Sequence, residues 1–141
     1  MKIKITNKSN YPIPEYAHKT DSGLDVRANI SEAITLKPLE GRIFPTGLYL
    51  SLPPDLECQV RPKSGQSKRG VVAMFGTVDS GYRGEIGINL INLSPEEKTI
   101  EPGEKIAQLV IAKIDRFELE ESELETDTER GDGAYGSTGR F

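Results

Sequence analysis

The sequence is poor in the residues that most often carry nucleophilic or metal chemistry. Its 141 residues include one cysteine, Cys58, one histidine, His18, and no tryptophan. A single cysteine excludes a disulfide within the chain, and together with a single histidine it excludes a Cys/His zinc site. A Ser-His-Asp triad would depend on His18 alone, and no nucleophile-elbow pattern lies nearby. Any catalysis must therefore rely on carboxylates, hydroxyls, cationic side chains, backbone groups or a hard metal ion.

Long apolar runs and an excess of positive charge are also missing. No segment is long and apolar enough to predict a signal peptide or a membrane span. The net charge of -4 argues against stable binding to nucleic acid. The hydrophobic fraction of 35% allows a modest core in one domain and leaves room for oligomerisation to bury more surface. We therefore expect a cytoplasmic protein with no membrane and no stable nucleic-acid partner.

Short apolar segments alternate with turn residues along most of the chain. This pattern predicts strands at residues 2–6, 24–28, 34–36, 42–44, 48–52 and 56–60. The apolar run at residues 105–114 predicts a buried central strand, within which the Gln108 amide either ties two strands together or faces a site. Short strands separated by glycine and proline are typical of a sandwich or barrel.

Two glycine-containing stretches in the middle of the chain carry polar chemistry. GTVDSGYRGE, residues 76–85, lies between apolar runs and is predicted to form the turn of a β-hairpin that displays Asp79 and Tyr82. A purely structural turn would also account for its glycines and its aspartate. RPKSGQSKRG, residues 61–70, offers the hydroxyls, cations and glycine amides that suit a polyphosphate, with a solvated basic loop as the alternative. It lacks the spacing of a Walker A loop.

Asp25 and the C-terminal tail each have a structural and a functional interpretation. Aspartate is depleted in strands, so Asp25 either faces solvent or points into a cleft, where it holds a hard cation through water. The glycine-rich tail, residues 129–141, is either flexible or becomes ordered on a ligand, with Tyr135 stacked on a ring and polar side chains on phosphate. The polar side chains are those of Arg130, Ser137 and Thr138.

In this order the stretches resemble the trimeric dUTP diphosphatase (dUTPase) family, which has five ordered motifs. The matching segments are DSGLDVRA (21–28), RPKSGQSKRG (61–70), GTVDSGYRGE (76–85), GEKIAQLV (103–110) and RGDGAYGSTG (130–139). The resemblance implies an all-β fold of the β-clip type, a distorted jelly-roll barrel of short strands with at most one short helix. It also implies a homotrimer with active sites at the subunit interfaces and a C-terminal arm exchanged between subunits.

The resemblance also divides the chain into three parts. Residues 1–116 are expected to form the jelly-roll domain, residues 117–128 an acidic connector, and residues 129–141 a flexible arm that closes over the active site. The implied reaction is hydrolysis of dUTP to dUMP and pyrophosphate, which lowers dUTP and supplies dUMP for dTMP synthesis. Host and phage origins both remain open.

The resemblance assigns roles to individual residues. Asp79 is the implied catalytic residue, which orients and deprotonates the water that attacks the α-phosphorus. Asp25 would hold the implied cofactor, Mg²⁺, through water. Tyr82 would pack under the deoxyribose, and the hairpin backbone would pair with uracil without space for a 5-methyl group. The implied substrate-binding residues are Lys63, Ser64, Gly65, Gly76, Thr77, Val78, Tyr82, Gln108, Arg130, Tyr135, Gly136, Ser137 and Thr138.

The chain departs from the family pattern at a few positions. Gln66 stands where leucine is usual, Lys63 and Lys105 stand where arginine is common, and Tyr135 replaces the usual phenylalanine. Ala134 replaces a glycine, and the interval between the second and third motifs is a few residues short. This shorter interval leaves open which residues frame the base.

Two other functions compete with this interpretation. The dCTP deaminases share the fold but need a glutamate as base after the hairpin, and the matching residue here is Asn89, whose amide cannot act as a base. A jelly-roll binding or regulatory protein without turnover is the second alternative. Loss of Asp79 or of the tail would mark such a protein, and the sequence retains both.

Overall fold

The computed structural model describes residues 1–124, Thr128 and residues 131–134. These residues form eleven strands and one helix, which confirms the predicted all-β fold with at most one short helix. None of the helical structure in this part of the chain is long and apolar enough to cross a membrane. The elements are β1 (Lys4–Asn7), β2 (Leu24–Arg27), β3 (Ile34–Leu36), β4 (Gly41–Pro45), β5 (Leu48–Ser51), β6 (Leu56–Pro62), α1 (Ser64–Lys68), β7 (Val71–Ala73), β8 (Gly76–Val78), β9 (Gly87–Asn92), β10 (Lys98–Ile100) and β11 (Lys105–Lys113).

Two antiparallel sheets carry most of the fold. One has the strand order β2-β11-β6-β8 and the other has the order β4-β9-β7. Two smaller pairs, β1 with β5 and β3 with β10, complete the pairing of the described strands. β11 lies between β2 and β6, so the prediction of a central strand over residues 105–114 is confirmed.

The core follows from the alternation of side chains along the strands. Leu56, Cys58 and Val60 of β6 face inward, and so do Ile88 and Leu90 of β9, while the residues between them are more exposed. The inward faces of both sheets join in a single hydrophobic cluster. The apolar residues whose alternation predicted these strands are therefore the residues that fill the core.

Two segments differ from their predicted conformation. The stretch of residues 76–85 is not entirely a turn, because Gly76–Val78 forms β8 and pairs with β6 in the other sheet. The flanking strands β7 and β9 do pair with each other, so the hairpin is real, but its connection crosses between sheets. The basic stretch of residues 61–70 is likewise not only a loop, because Ser64–Lys68 forms α1.

A tight turn between β4 and β5 holds the neighbouring segments together. Gly47 has φ of 70° and its N–H donates to Oε1 of Glu85 at 2.7 Å. The hydroxyl of Thr46 donates to the carbonyl of Ile86 at 2.6 Å. A Cβ built on Gly47 would lie 2.7 Å from the backbone nitrogen of Ser9. The turn therefore requires glycine both for its left-handed backbone and for this close approach.

We expect Gly47→Ala to lower the free energy of unfolding by about 2 kcal/mol, because the left-handed conformation and the contact with Ser9 both penalise a Cβ. Urea denaturation at one fixed protein concentration measures this loss. Gly41→Ala is the matched control, since its nearest neighbour would be 3.7 Å away and its φ is not positive. Equal stability of the two variants would contradict the argument.

Candidate functional site

Asp25 lies where β2, β11 and the start of α1 meet. It is paired in register with Gln108 of β11. Its carboxylate accepts hydrogen bonds from Nζ of Lys63, which is 2.9 Å from both oxygens, and Nζ of Lys105 lies 3.0 Å from Oδ2. Asp25 is therefore not a plain solvent-facing position, because two cations from different elements converge on it.

Opposing effects set the acidity of Asp25. Partial burial alone would raise the pKa of its carboxyl group, because burial disfavours the charged form. The hydrogen bonds and positive charges of Lys63 and Lys105 act in the opposite direction and together outweigh it, so the pKa lies below its ordinary value. Asp25 is thus held as a carboxylate with its charge already compensated.

The side chain of Gln108 lies beside Asp25 and packs closely against the backbone of Gly23. Its Nε2 donates to the carbonyl of Pro62 at 2.9 Å, which ties β11 to the end of β6. A Cβ built on Gly23 would lie 2.0 Å from Oε1 of Gln108. Both interpretations of Gln108 therefore hold, since its amide joins two strands and also faces a cavity beside Asp25. The first motif needs glycine at position 23 for the amide to fit.

This cavity, called here the Asp25 cavity, has a volume of about 290 Å³. It is lined by Glu15, Ala17, His18, Asp21, Ser22, Gly23, Asp25, Lys63 and Gln108. Lys105 instead lines a neighbouring cavity that also borders Asp25, so the two lysines approach the carboxylate from different sides. Only Asp25, Lys63 and Gln108 of this lining were predicted as site residues. The roles of Gly23 and Lys105 were missed, although both lie inside motifs.

The helix α1 begins at the edge of this arrangement. Lys63 is its N-cap residue, and no side chain caps the helix. The first N–H groups of a helix lack intrahelical partners, so the amides of Ser64 and Gly65 remain available at an exposed position. Ser64 and Gly65 thus offer donors close to Lys63, which itself contacts Asp25.

Asp79 lies in a different turn. The N–H of Tyr82 donates to the carbonyl of Asp79 at 3.0 Å, and Arg83 donates to the carbonyl of Ser80 at 2.6 Å. Asp79 is exposed, and within the described residues its carboxylate makes no hydrogen bond and no ion pair. Arg116 reaches Oγ of Ser80 at 3.3 Å and anchors this turn to the end of β11, a contact that no sequence signal predicted.

The ring of Tyr82 forms one wall beside Asp79. Its hydroxyl donates to the carbonyl of Glu85 at 3.0 Å, and a Cβ on Gly84 would lie 2.2 Å from the hydroxyl oxygen. The ring therefore lies directly against Gly84. The resulting Asp79 cavity has a volume of about 230 Å³ and is lined by Val60, Gly76, Thr77, Val78, Asp79, Tyr82, Glu85, Ile86 and Gly87.

The structure brings the predicted residues together in two groups. The Asp25 cavity and the Asp79 cavity share no lining residue. Asp25 lies on β2, at one edge of the four-stranded sheet, and Asp79 follows β8, at the other edge. Three strand spacings of about 4.8 Å separate these edges by about 14 Å. Within one chain, the two carboxylates therefore do not belong to one site.

Some predicted or conspicuous residues lie outside both groups. Cys58 is fully buried, and burial followed by the charge of Glu57 raises the pKa of its thiol to about 12, which excludes a nucleophilic role. The predicted tail residues lie outside the residues that the structure describes. They are Arg130, Tyr135, Gly136, Ser137 and Thr138.

Comparison with known proteins gives consistent similarities. A sequence model of the dUTPase family matches residues 9–139. The chain is 49% identical to the deoxyuridine 5'-triphosphate nucleotidohydrolase of Finegoldia magna over 99% of both chains. It is 50% identical to the enzyme of that name from Neorickettsia sennetsu, over 97% of this chain and 94% of the relative.

Solved structures agree with these sequence matches. A mutant of the Staphylococcus bacteriophage 80alpha dUTPase, solved with dUpNHpp, has a TM-score of 0.88 at 30% identity, covering 98% of both chains. A mutant dUTPase of the Staphylococcus aureus phage phi11, whose structure describes coordination of a structural Mg(II) ion, has a TM-score of 0.80 at 27% identity. That alignment covers 89% of this chain and 99% of the phage chain.

We expect Lys63→Met to raise the pKa of Asp25 toward the ordinary value of 3.8, because it removes two hydrogen bonds and one positive charge. In the wild-type protein the lowered pKa stabilises the fold above the unfolded-state pKa. This contribution is lost as pH falls through the folded-state pKa. Carbon-13 NMR titration of the Asp25 carboxyl in the ligand-free protein measures the change.

The matched control for this titration is Lys68→Met, which removes an exposed lysine from the same helix. It should leave the titration of Asp25 where it is in the wild-type protein. An Asp25 titration that does not move in Lys63→Met would show that the lysine does not set the acidity of this carboxyl.

Proposed function

The chain belongs to the dUTPase family, and from that premise we propose that it hydrolyses dUTP to dUMP and pyrophosphate with a water activated by Asp79. Its activity is that of a deoxyuridine 5'-triphosphate nucleotidohydrolase, the name carried by relatives that match nearly the whole chain. The proposal adds the role that each residue of this chain has in the reaction.

The observation that carries the proposal is the contrast between two carboxylates. The carboxylate of Asp25 contacts two lysines, whereas the carboxylate of Asp79 has no hydrogen-bonded or ionic partner within the described part of the chain. A carboxylate without a cation can accept a proton from water more readily than one that is already compensated. Asp79 is therefore the general base, and Asp25 is the residue that organises charge.

The chemical step needs no nucleophile from the protein. Asp79 orients a water molecule and takes its proton as the water oxygen forms a bond to the α-phosphorus. The bond from the α-phosphorus to the bridging oxygen of the β-phosphate breaks, and pyrophosphate leaves with that electron pair. Tyr82 supports the deoxyribose, and the backbone of Gly76, Thr77 and Val78 contacts the base. Most of the acceleration comes from positioning and charge stabilisation.

The Asp25 cavity suits the triphosphate. The cation of Lys63 and the amide of Gln108 line this cavity and can donate to phosphate. Ser64 and Gly65 do not line it, but they directly follow Lys63 along the chain and add amide and hydroxyl donors there. Among the described residues no group of three or more acidic, histidine or cysteine side chains could hold a metal ion alone. One carboxylate fits Mg²⁺, which is usually bound through substrate phosphates, water and one or two carboxylates. When bound, Mg²⁺ would neutralise phosphate charge and improve pyrophosphate as a leaving group.

A shared site between subunits follows from the separation of the two cavities. Asp79 must lie close to the α-phosphate and Asp25 must lie close to the metal-bound triphosphate, yet one chain holds them at opposite edges of a sheet. We therefore propose a homotrimer in which the Asp79 cavity of one subunit faces the Asp25 cavity of its neighbour. The C-terminal arm, with Arg130, Tyr135, Gly136, Ser137 and Thr138, closes over this joint site.

The deaminase alternative is disfavoured by the position of Asn89. This residue lies on the exposed face of β9 and does not line the Asp79 cavity. Its amide has no basic lone pair that could accept a proton from water. A binding protein without turnover is disfavoured by the exposed carboxylate of Asp79 beside Tyr82.

Asp79→Asn should lower turnover of dUTP by about 10²–10⁴-fold, the usual contribution of a general base, while the protein stays folded. Pyrophosphate release from dUTP measures this loss, with dTTP, dCTP and UTP assayed in parallel for selectivity. Asp55→Asn removes another exposed aspartate and should leave turnover unchanged. Near-full activity of Asp79→Asn, or no release by the wild-type enzyme, would refute the proposed role.

Mixing two inactive variants tests the shared site. Asp25→Asn and Asp79→Asn, unfolded together in equal amounts and refolded, should recover about a quarter of wild-type activity, because random assembly of a cyclic trimer joins intact halves in that share of its sites. Each variant refolded alone is the control. If both carboxylates served from the same chain, no mixed assembly would contain an intact site and activity would stay at the level of the single variants.

A further inference from the structure

Gln66 is a buried amide in a helix that is otherwise exposed. It is the third residue of α1, and it is 5% exposed, whereas Ser64, Gly65, Ser67 and Lys68 are exposed. A buried amide in place of an apolar side chain is costly unless its polar atoms are satisfied, so its contacts identify what it holds.

The Gln66 side chain makes its hydrogen bonds with the start of β11, the residue before it and the C-cap of α1. Its Nε2 donates to Oε1 of Glu104 at 2.6 Å and to the carbonyl of Lys105 at 3.0 Å. Its Oε1 accepts from Nη1 of Arg69 at 3.2 Å. The amide therefore joins α1 directly to the first residue of β11.

Glu104 extends this connection to β2. Its Oε1 also accepts from Arg69 in an ion pair, and its Oε2 accepts from the N–H of Glu101 at 2.9 Å. Its backbone carbonyl accepts from the N–H of Ala28, directly after β2, at 2.9 Å. One residue thus links the helix, the turn before β11 and the strand that carries Asp25.

These contacts form a closed circuit around the Asp25 carboxylate. Lys63, directly before α1, contacts Asp25 from one side, and Lys105, at the start of β11, contacts it from the other. The Gln66 amide closes the circuit because it holds α1 against the backbone of Lys105. This side chain therefore helps to set the distance from Ser64 and Gly65 to Asp25. The ion pair of Arg69 with Glu104 makes a second connection between the same two elements.

We propose that Gln66 is a positioning residue for the triphosphate, which acts through Lys105 and Glu104 to set α1 relative to Asp25. This inference rests on the proposed function, since Ser64, Gly65 and Asp25 are assigned to the phosphates there. It predicts that removing the amide weakens recognition of the distal phosphates and spares the nucleoside, whose contacts lie in the Asp79 cavity. A merely structural amide would affect stability and not this selectivity.

Gln66→Met keeps a side chain of similar length and removes every hydrogen bond that the amide group makes. The dissociation constant of the non-hydrolysable analogue α,β-imido-dUTP with Mg²⁺ should rise about 10-fold, and that of dUMP should change less than about 2-fold. Isothermal titration calorimetry on the full chain measures both constants. The KM of dUTP should rise in the same proportion as the analogue constant, with kcat changed less.

Asn92→Ser is the matched control, because Asn92 is also a fully buried amide, with hydrogen bonds to Leu36 and Glu96, and it lines neither cavity. It should lower stability and leave both dissociation constants within about 2-fold of wild type. Equal weakening of both ligands by Gln66→Met, or unchanged affinity for the analogue, would overturn the proposal.

Glu104→Gln gives a second test, and the binding measurements on this single variant do not require Gln66→Met to fold. It should weaken the analogue and spare dUMP, and its effect should not add to that of Gln66→Met in the double variant, since the two residues act in one circuit. Additive effects would overturn the proposal. Wild-type turnover of dUTP and its loss in Asp79→Asn are measured separately, so failure of the positioning role and failure of the proposed function give different results.

Discussion

The width of one four-stranded sheet is the constraint on which the rest of the structure depends. β2 and β8 are its outer strands. Asp25 lies on β2 and Asp79 directly follows β8, and these are the two carboxylates to which the proposed function assigns a role. Because β11 and β6 lie between them, no rearrangement of side chains brings Asp25 and Asp79 to the same phosphorus atom. Under the proposed function, a chain with this strand order carries two half-sites, and association with a second copy is the simplest way to join them. The proposed oligomer is therefore a consequence of strand order as much as of surface composition.

The two carboxylates differ in whether cationic side chains compensate their charge. On the Asp25 side, charge is compensated: burial disfavours the carboxylate, and Lys63 and Lys105 reverse that effect by hydrogen bonds and charge. On the Asp79 side, the carboxylate is left without a partner among the described residues, while backbone hydrogen bonds and Gly84 fix the turn and the Tyr82 ring around it. Two aspartates with contrasting surroundings can take contrasting roles, one in charge organisation and one in proton transfer.

The local pattern predicted most of the strands, because alternation of apolar residues in β6 and the apolar run of β11 report burial directly. It failed where tertiary contacts decide the conformation. The segment of α1 contains glycine and two serines and has little helical propensity, so its helix depends on the anchoring of Gln66 to β11. β8 is only three residues long and pairs with a strand in the other sheet, so no local signal separates it from the turn that follows.

For the candidate site as well, the sequence predicted individual residues but not the contacts between distant segments. Asp25 and Gln108 were singled out because their residue types are unusual within strands, whereas the roles of Asp79 and Tyr82 were predicted from the family resemblance. The convergence of Lys63 and Lys105 on Asp25 was not predicted, since nothing in the sequence reports that segments so far apart along the chain meet at one carboxylate. Gly23 was passed over because the amide that it accommodates belongs to a strand near the other end of the chain.

The pair of lysines has a further consequence for nucleotide capture. At the proposed triphosphate site, an isolated carboxylate would repel the phosphates before any metal arrived. With Lys63 and Lys105 both in contact with Asp25, these three side chains carry a net positive charge. That charge offsets part of the negative charge that Glu15 and Asp21 add to the cavity lining, and its effect falls off with salt. Because the lysines approach from different sides, one of them can turn toward phosphate while the other keeps the carboxylate in place. Lysine suits this arrangement, since an ammonium group is a compact charge that can change partners without the fixed geometry of a guanidinium.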